Sequence, residues 1–259
     1  ALAKSESTQT QLDTIVIEGD SSVEAAQARV DEKGQTHSTL KDRIDDGFIK
    51  VNTQLAQIVS NIRKIEVLAT DFGAIPDSEI AGFDSTEYIQ EAIDFVASVG
   101  GGTVRIPNGL FWIKAHDENT SDPMYLTDSG GIEMKDGVTL LLSEGTELRA
   151  IPNNQIAYNV VRVVNKKNVV ITGGTITGDR YDHSGTTGEW GHGISLIGGE
   201  DLVVKDVERK NCWGDGVSVR YYDQTLKIPP KNVQLINVTS VNNRRQGLTV
   251  ESCDGMNVV

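Results

Sequence analysis

His192, Asp215 and Gln246, in the second half of the chain, each stand immediately before the glycine of a repeated pattern: Gly193, Gly216 and Gly247. These glycines are 23 and 31 residues apart. Each opens the same five-residue line of glycine, apolar, hydroxyl, apolar and variable: Gly193-Ile194-Ser195-Leu196-Ile197, Gly216-Val217-Ser218-Val219-Arg220 and Gly247-Leu248-Thr249-Val250-Glu251. Trp190 and Trp213 lie two residues before His192 and Asp215, and Glu189 lies three before His192. Asp215, Glu189 and His192 form the candidate acid/base set. Phosphodiester cleavage needs such a pair with cations on the charge-bearing oxygens, and Arg220, Arg244 and Arg245 are able to grip a phosphate bidentately. Glycosidic cleavage needs two carboxyl groups about 5 Å apart for retention or about 6.5–9.5 Å for inversion. Gln246, Glu251 and Asp179 complete the candidate substrate-binding set, with Trp190 and Trp213 as surfaces for stacking on sugar or apolar faces.

Each assignment has a plainer counterpart. The tryptophans equally suit packing under a loop. Arg220 and Glu251 are either an anion anchor with a base or a surface ion pair of small worth. The glycine column either bares the backbone for a bound chain or allows a tight bend. No metal-ligand set or cofactor is assigned, although Asp179, Asp182 and Asp215 are of the type that holds a hard divalent cation.

Positioning such a column requires coils stacked in register. Apolar pairs recur between the glycines, as in Val169-Val170-Ile171, Leu202-Val203-Val204, Val233-Gln234-Leu235 and Val258-Val259. Self-similarity at a few tens of residues marks a solenoid, and period-two alternation builds it from strands. The expected fold is mainly β, a single-stranded parallel β-helix. Phe111-Trp112-Ile113, Val138–Leu142 and Val160–Val164 supply earlier strands, and Gly145 and Gly173-Gly174 mark turns. Ile194/Leu196, Val217/Val219 and Leu248/Val250 face inward, because only that face can be buried. Parity puts Ser195, Ser218 and Thr249 outside, with Ile197, Arg220 and Glu251 two residues on. The glycine column is expected outside as well. The longest polar excursion runs from Gly178 to Gly188.

Residues 1–65 differ in character. Ile44, Phe48, Val51, Leu55, Ile58 and Ile62 follow steps of 4, 3, 4, 3 and 4, a heptad seam that must bury itself on a partner helix. Leucine at a with isoleucine at d leans towards three or four strands. The seam is therefore either a trimerisation stem or an amphipathic helix folded onto its own domain. Ser21-Ser22-Val23-Glu24 offers a capping box, Asp31–Gln35 a turn, and Thr8–Ile17 is helix or strand. From Thr70 the composition changes. Asp84 is a good N-cap for an amphipathic helix with Ile89, Ile93 and Val96 on one face. Gly100-Gly101-Gly102 ends it, and Thr103–Gly109 is a strand running into a turn.

The net charge of −13 argues against polyanion binding driven by bulk electrostatics, and so against nucleic acid, while leaving room for a local basic site. No run of eighteen apolar residues crosses a membrane, and residues 1–11 lack the layout of a signal peptide. Cys212 and Cys253 fall at different offsets from their glycines, which suggests buried free thiols and synthesis in a reducing cytoplasm.

Asp71-Phe72-Gly73-Ala74, Thr86 with Gln90-Glu91-Ala92-Ile93, Gly100–Val104 and Ile106-Pro107-Asn108-Gly109 resemble the opening motif of the pectate-lyase-like right-handed β-helix superfamily. The family carries two adjacent acids where this chain has only Asp84. The resemblance covers residues 66–259 and implies a right-handed solenoid capped by the N-terminal helix. It does not fix a reaction, since the superfamily holds lyases, hydrolases, epimerases and adhesins. Ala28-Arg29-Val30-Asp31 and Thr39–Ile44, within 21–46, resemble the virion-anchoring segment of tail appendages from phages of Gram-positive hosts. Arm and β-helix together resemble the pre-neck appendages (tailspikes) of Bacillus podophages related to phi29. That implies a homotrimer on the virion, held to other tail or collar proteins through residues 1–65, which binds and degrades host cell-wall teichoic acid. A glycosidase or lyase acting on a glycan, and a non-catalytic adhesin, remain the other readings. Gly191-His192-Gly193 and Gly214-Asp215-Gly216 also resemble polygalacturonase motifs, but in reversed order and without the paired acids, so that mechanism is not carried over. The chain stops at Val259 as a further strand begins, so a longer protein is expected.

Overall fold

The computed structural model describes residues 28–31, 33–62, 65–116, 130–223 and 225–259. The chain divides into two units, 1–60 and 61–259. Helix α1 spans Leu40–Ile62, all but its last two residues in the first unit, and contains the expected seam. Ile44, Phe48, Val51 and Leu55 along it are 48–65% exposed. The expected turn forms: Val30 bridges Thr36, and Asp31 Oδ1 accepts the N–H groups of Lys33 and Gln35. The capping box at Ser21–Glu24 and the Thr8–Ile17 segment lie outside the described residues.

The second unit is a parallel β-solenoid of about five turns. Each turn lays one strand in each of three sheets. The first sheet stacks β1 (Glu66–Leu68), β2 (Gly102–Ile106), β5 (Val138–Leu142), β8 (Lys167–Thr172), β11 (Glu200–Lys205), β14 (Lys231–Ile236) and β17 (Asp254–Val258). The second stacks β3 (Gly109–Ile113), β6 (Thr146–Ala150), β9 (Thr175–Thr177), β12 (Glu208–Lys210) and β15 (Thr239–Val241). The third stacks β4 (Ile132–Glu133), β7 (Ala157–Val164), β10 (Trp190–Ile197), β13 (Val217–Arg220) and β16 (Leu248–Val250).

The register explains why this sequence folds so. Val104, Leu140, Ile171, Val204 and Leu235 are paired partners on successive rungs, and each is at most 2% exposed. Ile132, Val161, Ile194 and Val217 form a second inward column, all fully buried. Like side chains one rung apart, about 4.8 Å, exclude water from one another. Each buried aliphatic side chain contributes about 1.5–3 kcal/mol. Asparagine and aspartate at the corners take left-handed backbone that other residues resist: Asn168, Asp201 and Asn232 as the second residues of β8, β11 and β14, Asp206 and Asn237 just after β11 and β14. Asn232 and Asn237 also donate through Nδ2 to Asp201 and Asp206 on the rung before.

Helix α2 (Thr86–Ser98) buries Ile89, Ala92, Ile93 and Val96 against β1 and β2 at the start of the solenoid. Ser85 rather than Asp84 occupies its N-cap position. The Ser85 hydroxyl is engaged elsewhere, bonded to the backbone of Ile75. Asp84 still accepts the first helical N–H, that of Thr86, at 3.0 Å. Cys212 is a buried free thiol, pushed up to about 12 by burial, whereas Cys253 is only partly buried. No described helix is long and apolar enough to cross a membrane.

Candidate functional site

The register places the column as expected. Ile194 pairs with Val217, and Val217 with Leu248, so His192, Asp215 and Gln246 occupy equivalent places on successive rungs. The column is wired through the backbone. The Asp215 N–H donates to His192 Nδ1 at 3.1 Å, and the Gln246 N–H donates to Asp215 Oδ1 at 2.9 Å. His192 Nδ1 is therefore an acceptor, and the proton of the neutral ring sits on Nε2. Burial, then the charges of Arg220 and Arg245, push its pKa down to about 3. His192 is thus held neutral near pH 7, unable to serve as a proton-donating imidazolium.

His192 and Asp215, but not Gln246, line one groove of about 280 Å3 on the outer face of the third sheet, together with Glu189, Trp190, Ser218, Arg220, Arg245, Thr249 and Glu251. Asp215 is 1% exposed. Its Oδ2 lies 3.9 Å from Arg245 Nη1, while Arg245 Nε lies 3.3 Å from Glu189 Oε2. One guanidinium thus stands between the two carboxylates. Arg220 sits one rung before Glu251 and is 8% exposed. Its Nε and Nη2, like Thr249 Oγ1, are buried without a hydrogen-bond partner among the described residues.

Other candidates are placed differently. Asp179 does not face the groove. Its carboxylate accepts Tyr158 Oη–H, the Asn153 backbone and side-chain N–H groups, and sits 2.9 Å from His183 Nδ1. A carboxylate so fully used holds the 178–188 excursion rather than a ligand. Trp213 is sandwiched, with the His183 ring 4.0 Å away on one side and the Arg244 guanidinium 3.9 Å away on the other. Both its faces are covered, so it packs the excursion and offers no stacking surface. Arg244 also donates to the Gly188 carbonyl, clasping the excursion instead of a phosphate. Gln246 is exposed and contributes its backbone N–H. Among the described residues no group of three or more His, Cys, Asp or Glu is placed to hold a metal ion.

The glycine column does not face outward. A Cβ on Gly193 would meet Cys212 Sγ at 3.0 Å and the Gly216 carbonyl oxygen at 2.8 Å, and one on Gly216 would meet Ser240 Oγ at 2.1 Å. These glycines let the third sheet approach the next rung and the strands beside it. The chain bends here: Val160 and Val161 are both fully buried, so simple alternation fails at this corner. Sequence reasoning also missed Asn159, which pairs with His192 on the preceding rung and accepts the Ser195 hydroxyl. Its place before the Val160-Val161 pair was the available signal.

No family model matches the chain. Over 185 residues it is 27% identical to the SPbeta prophage-derived uncharacterized protein YorA of Bacillus subtilis (strain 168), covering 67% of this chain and 31% of that protein. The chain spans about a third of the length of the curated relatives it matches. The iota-carrageenase of family GH82 from A. fortis superposes with a TM-score of 0.59 at 15% identity, covering 75% of this chain and 39% of that one. The Azotobacter vinelandii mannuronan C-5 epimerase AlgE4 A-module gives 0.52 at 21% identity, covering 72% and 53%. These likenesses place the chain in the parallel β-solenoid fold.

Proposed function

We propose that the groove on the third sheet cleaves a polymer of the host cell surface, and that the chain is part of a phage tail appendage. The observation that carries this is that Asp215 and Glu189 face the same guanidinium, Arg245, within one groove. The prophage origin of the relative YorA, the carrageenase and epimerase that share the fold, and the resemblance to phi29-type pre-neck appendages support it. The polymer assigned is teichoic acid. Asp215 takes a proton from water as the water oxygen bonds to phosphorus. The bond from phosphorus to the leaving polyol oxygen breaks, and Glu189 supplies that oxygen's proton. Arg245 and Arg220 hold the charged phosphoryl oxygens, which preorganised cations stabilise most where charge develops. Neutral His192 positions Asp215 through the backbone and presents Nε2–H as a fixed donor. The arm is assigned as the stem of a homotrimer, through the exposed seam of α1, and as the attachment to other virion proteins.

A second reading, glycosidic cleavage by the same two carboxyl groups, is favoured by Trp190 on the groove wall. Incubation of the chain with purified wall teichoic acid and with wall polysaccharide separates the two. New phosphate monoester ends without new reducing ends are expected. Reducing ends alone would establish the glycosidic reading, and neither product would leave a binding protein.

A further inference from the structure

We infer that the groove contains a dedicated oxyanion subsite built on Arg220 and Thr249, so that the polymer is recognised by a charged group. The inference rests on the groove being the substrate site. Arg220 is the last residue of β13, where the third sheet's outward positions would ordinarily face water. Instead it is 8% exposed, with Nε and Nη2 buried and unpartnered, and Thr249 Oγ1 on the next rung is a third orphan in the same groove. Burying a cation with two of its donors unmet is costly, and an unmet hydroxyl adds to that. Outward-facing arginines on other strands bond carboxylates, as Arg105 does Glu66 and Arg162 does Glu133. Glu251, one rung on from Arg220, is near enough to act on its charge, yet leaves those two nitrogens unbonded. Arg245 and Arg220 both act on His192, so the vacant donors and the carboxylate of Asp215 belong to one local field. A fork of guanidinium N–H groups with a hydroxyl beside it matches the two oxygens of a phosphodiester or a carboxylate. A neutral sugar hydroxyl can accept from these donors but brings neither the charge nor the paired oxygens that make such bonds strong.

The test is calorimetric titration of the full chain with dimethyl phosphate, methyl glucuronoside and methyl glucoside, alongside turnover on wall polymers. An oxyanion is expected to bind while methyl glucoside does not, and the tighter of the two anions identifies phosphate or uronate as the source. Arg220→Gln is expected to weaken that anion by about 10-fold or more. Arg220→Lys, which keeps charge but loses the fork, and Thr249→Val should each give a smaller loss. Circular dichroism shows whether each variant is folded. Equal binding of the neutral glucoside, or unchanged anion affinity in folded Arg220→Gln and Thr249→Val, overturns the subsite. Turnover of polymer by a chain that binds neither anion overturns the subsite and leaves the catalytic reading standing. Arg220-dependent anion binding without turnover of any polymer supports the subsite and removes the catalytic reading.

Discussion

The outer faces of the first and third sheets belong to the same coils and are built to different ends. On the first sheet, outward side chains meet water as exposed ion pairs, Arg105 with Glu66 and Lys167 with Glu200. On the third, Asn159, His192, Ser195, Asp215, Ser218 and Arg220 are all at most 8% exposed while lying opposite the core. Stacking alone does not demand this, because the first sheet stacks as well without it. Polar groups withdrawn from water and held by backbone donors are expensive as structure. They are what a reaction centre needs in order to strengthen electrostatic interactions and fix geometry.

The comparison can be broken by mutation, beginning where the effect is largest. Trp213→Ala removes the plate between His183 and Arg244. It should cost about 3–5 kcal/mol and also reduce turnover, because the excursion that ends at Glu189 loses its seat. A chemical melt and an activity assay on the same sample test both. Leu140→Ala, in the inward column of the first sheet, should cost about 2–5 kcal/mol yet leave turnover per folded molecule unchanged. Gly216→Ala should cost about 1–3 kcal/mol, since its Cβ would fall 2.1 Å from Ser240 Oγ. No loss would mean that the column is open after all.

Acid should separate the faces too. The folded state holds His192 down at about 3 against 6.5 for the free side chain, so between those values the unfolded chain binds the extra proton. Stability attributable to His192 is therefore fully present above about 6.5 and lost progressively as pH falls towards about 3. A His192→Gln variant should show a flatter fall over that window in parallel melts. Last and smallest, Arg105→Ala on the first sheet should cost no more than about 1 kcal/mol.

The inward half of this molecule was legible from its sequence. Ile194/Leu196 and Val217/Val219 are buried as alternation requires, whereas Leu248 is half-buried and Val250 45% exposed on the final strand of the third sheet; the column of His192, Asp215 and Gln246 follows once register is fixed. Alternation says which side a residue takes, not what lies over that side. The burial of Ser195 and Arg220 therefore could not be read, because it arises from three-dimensional cover. Gly193 and Gly216 were misplaced outward because parity was carried through a bend. Asp179 and Trp213 looked like ligand contacts because carboxylates and indoles are versatile. Tyr158 and Asn153 lie 21 and 26 residues from Asp179, and His183 and Arg244 lie 30 and 31 residues from Trp213, beyond what local spacing reveals.

The central claim is that the third sheet's outer face does chemistry through Asp215. Asn at 215 keeps an oxygen to accept the Gln246 N–H and so preserves the ladder, while removing the proton acceptor. Turnover of wall teichoic acid by Asp215→Asn, measured beside polymer binding, is the direct measurement. The account predicts a fall in turnover of about 10²–10⁴-fold with binding retained. Turnover near that of the unaltered chain would contradict it.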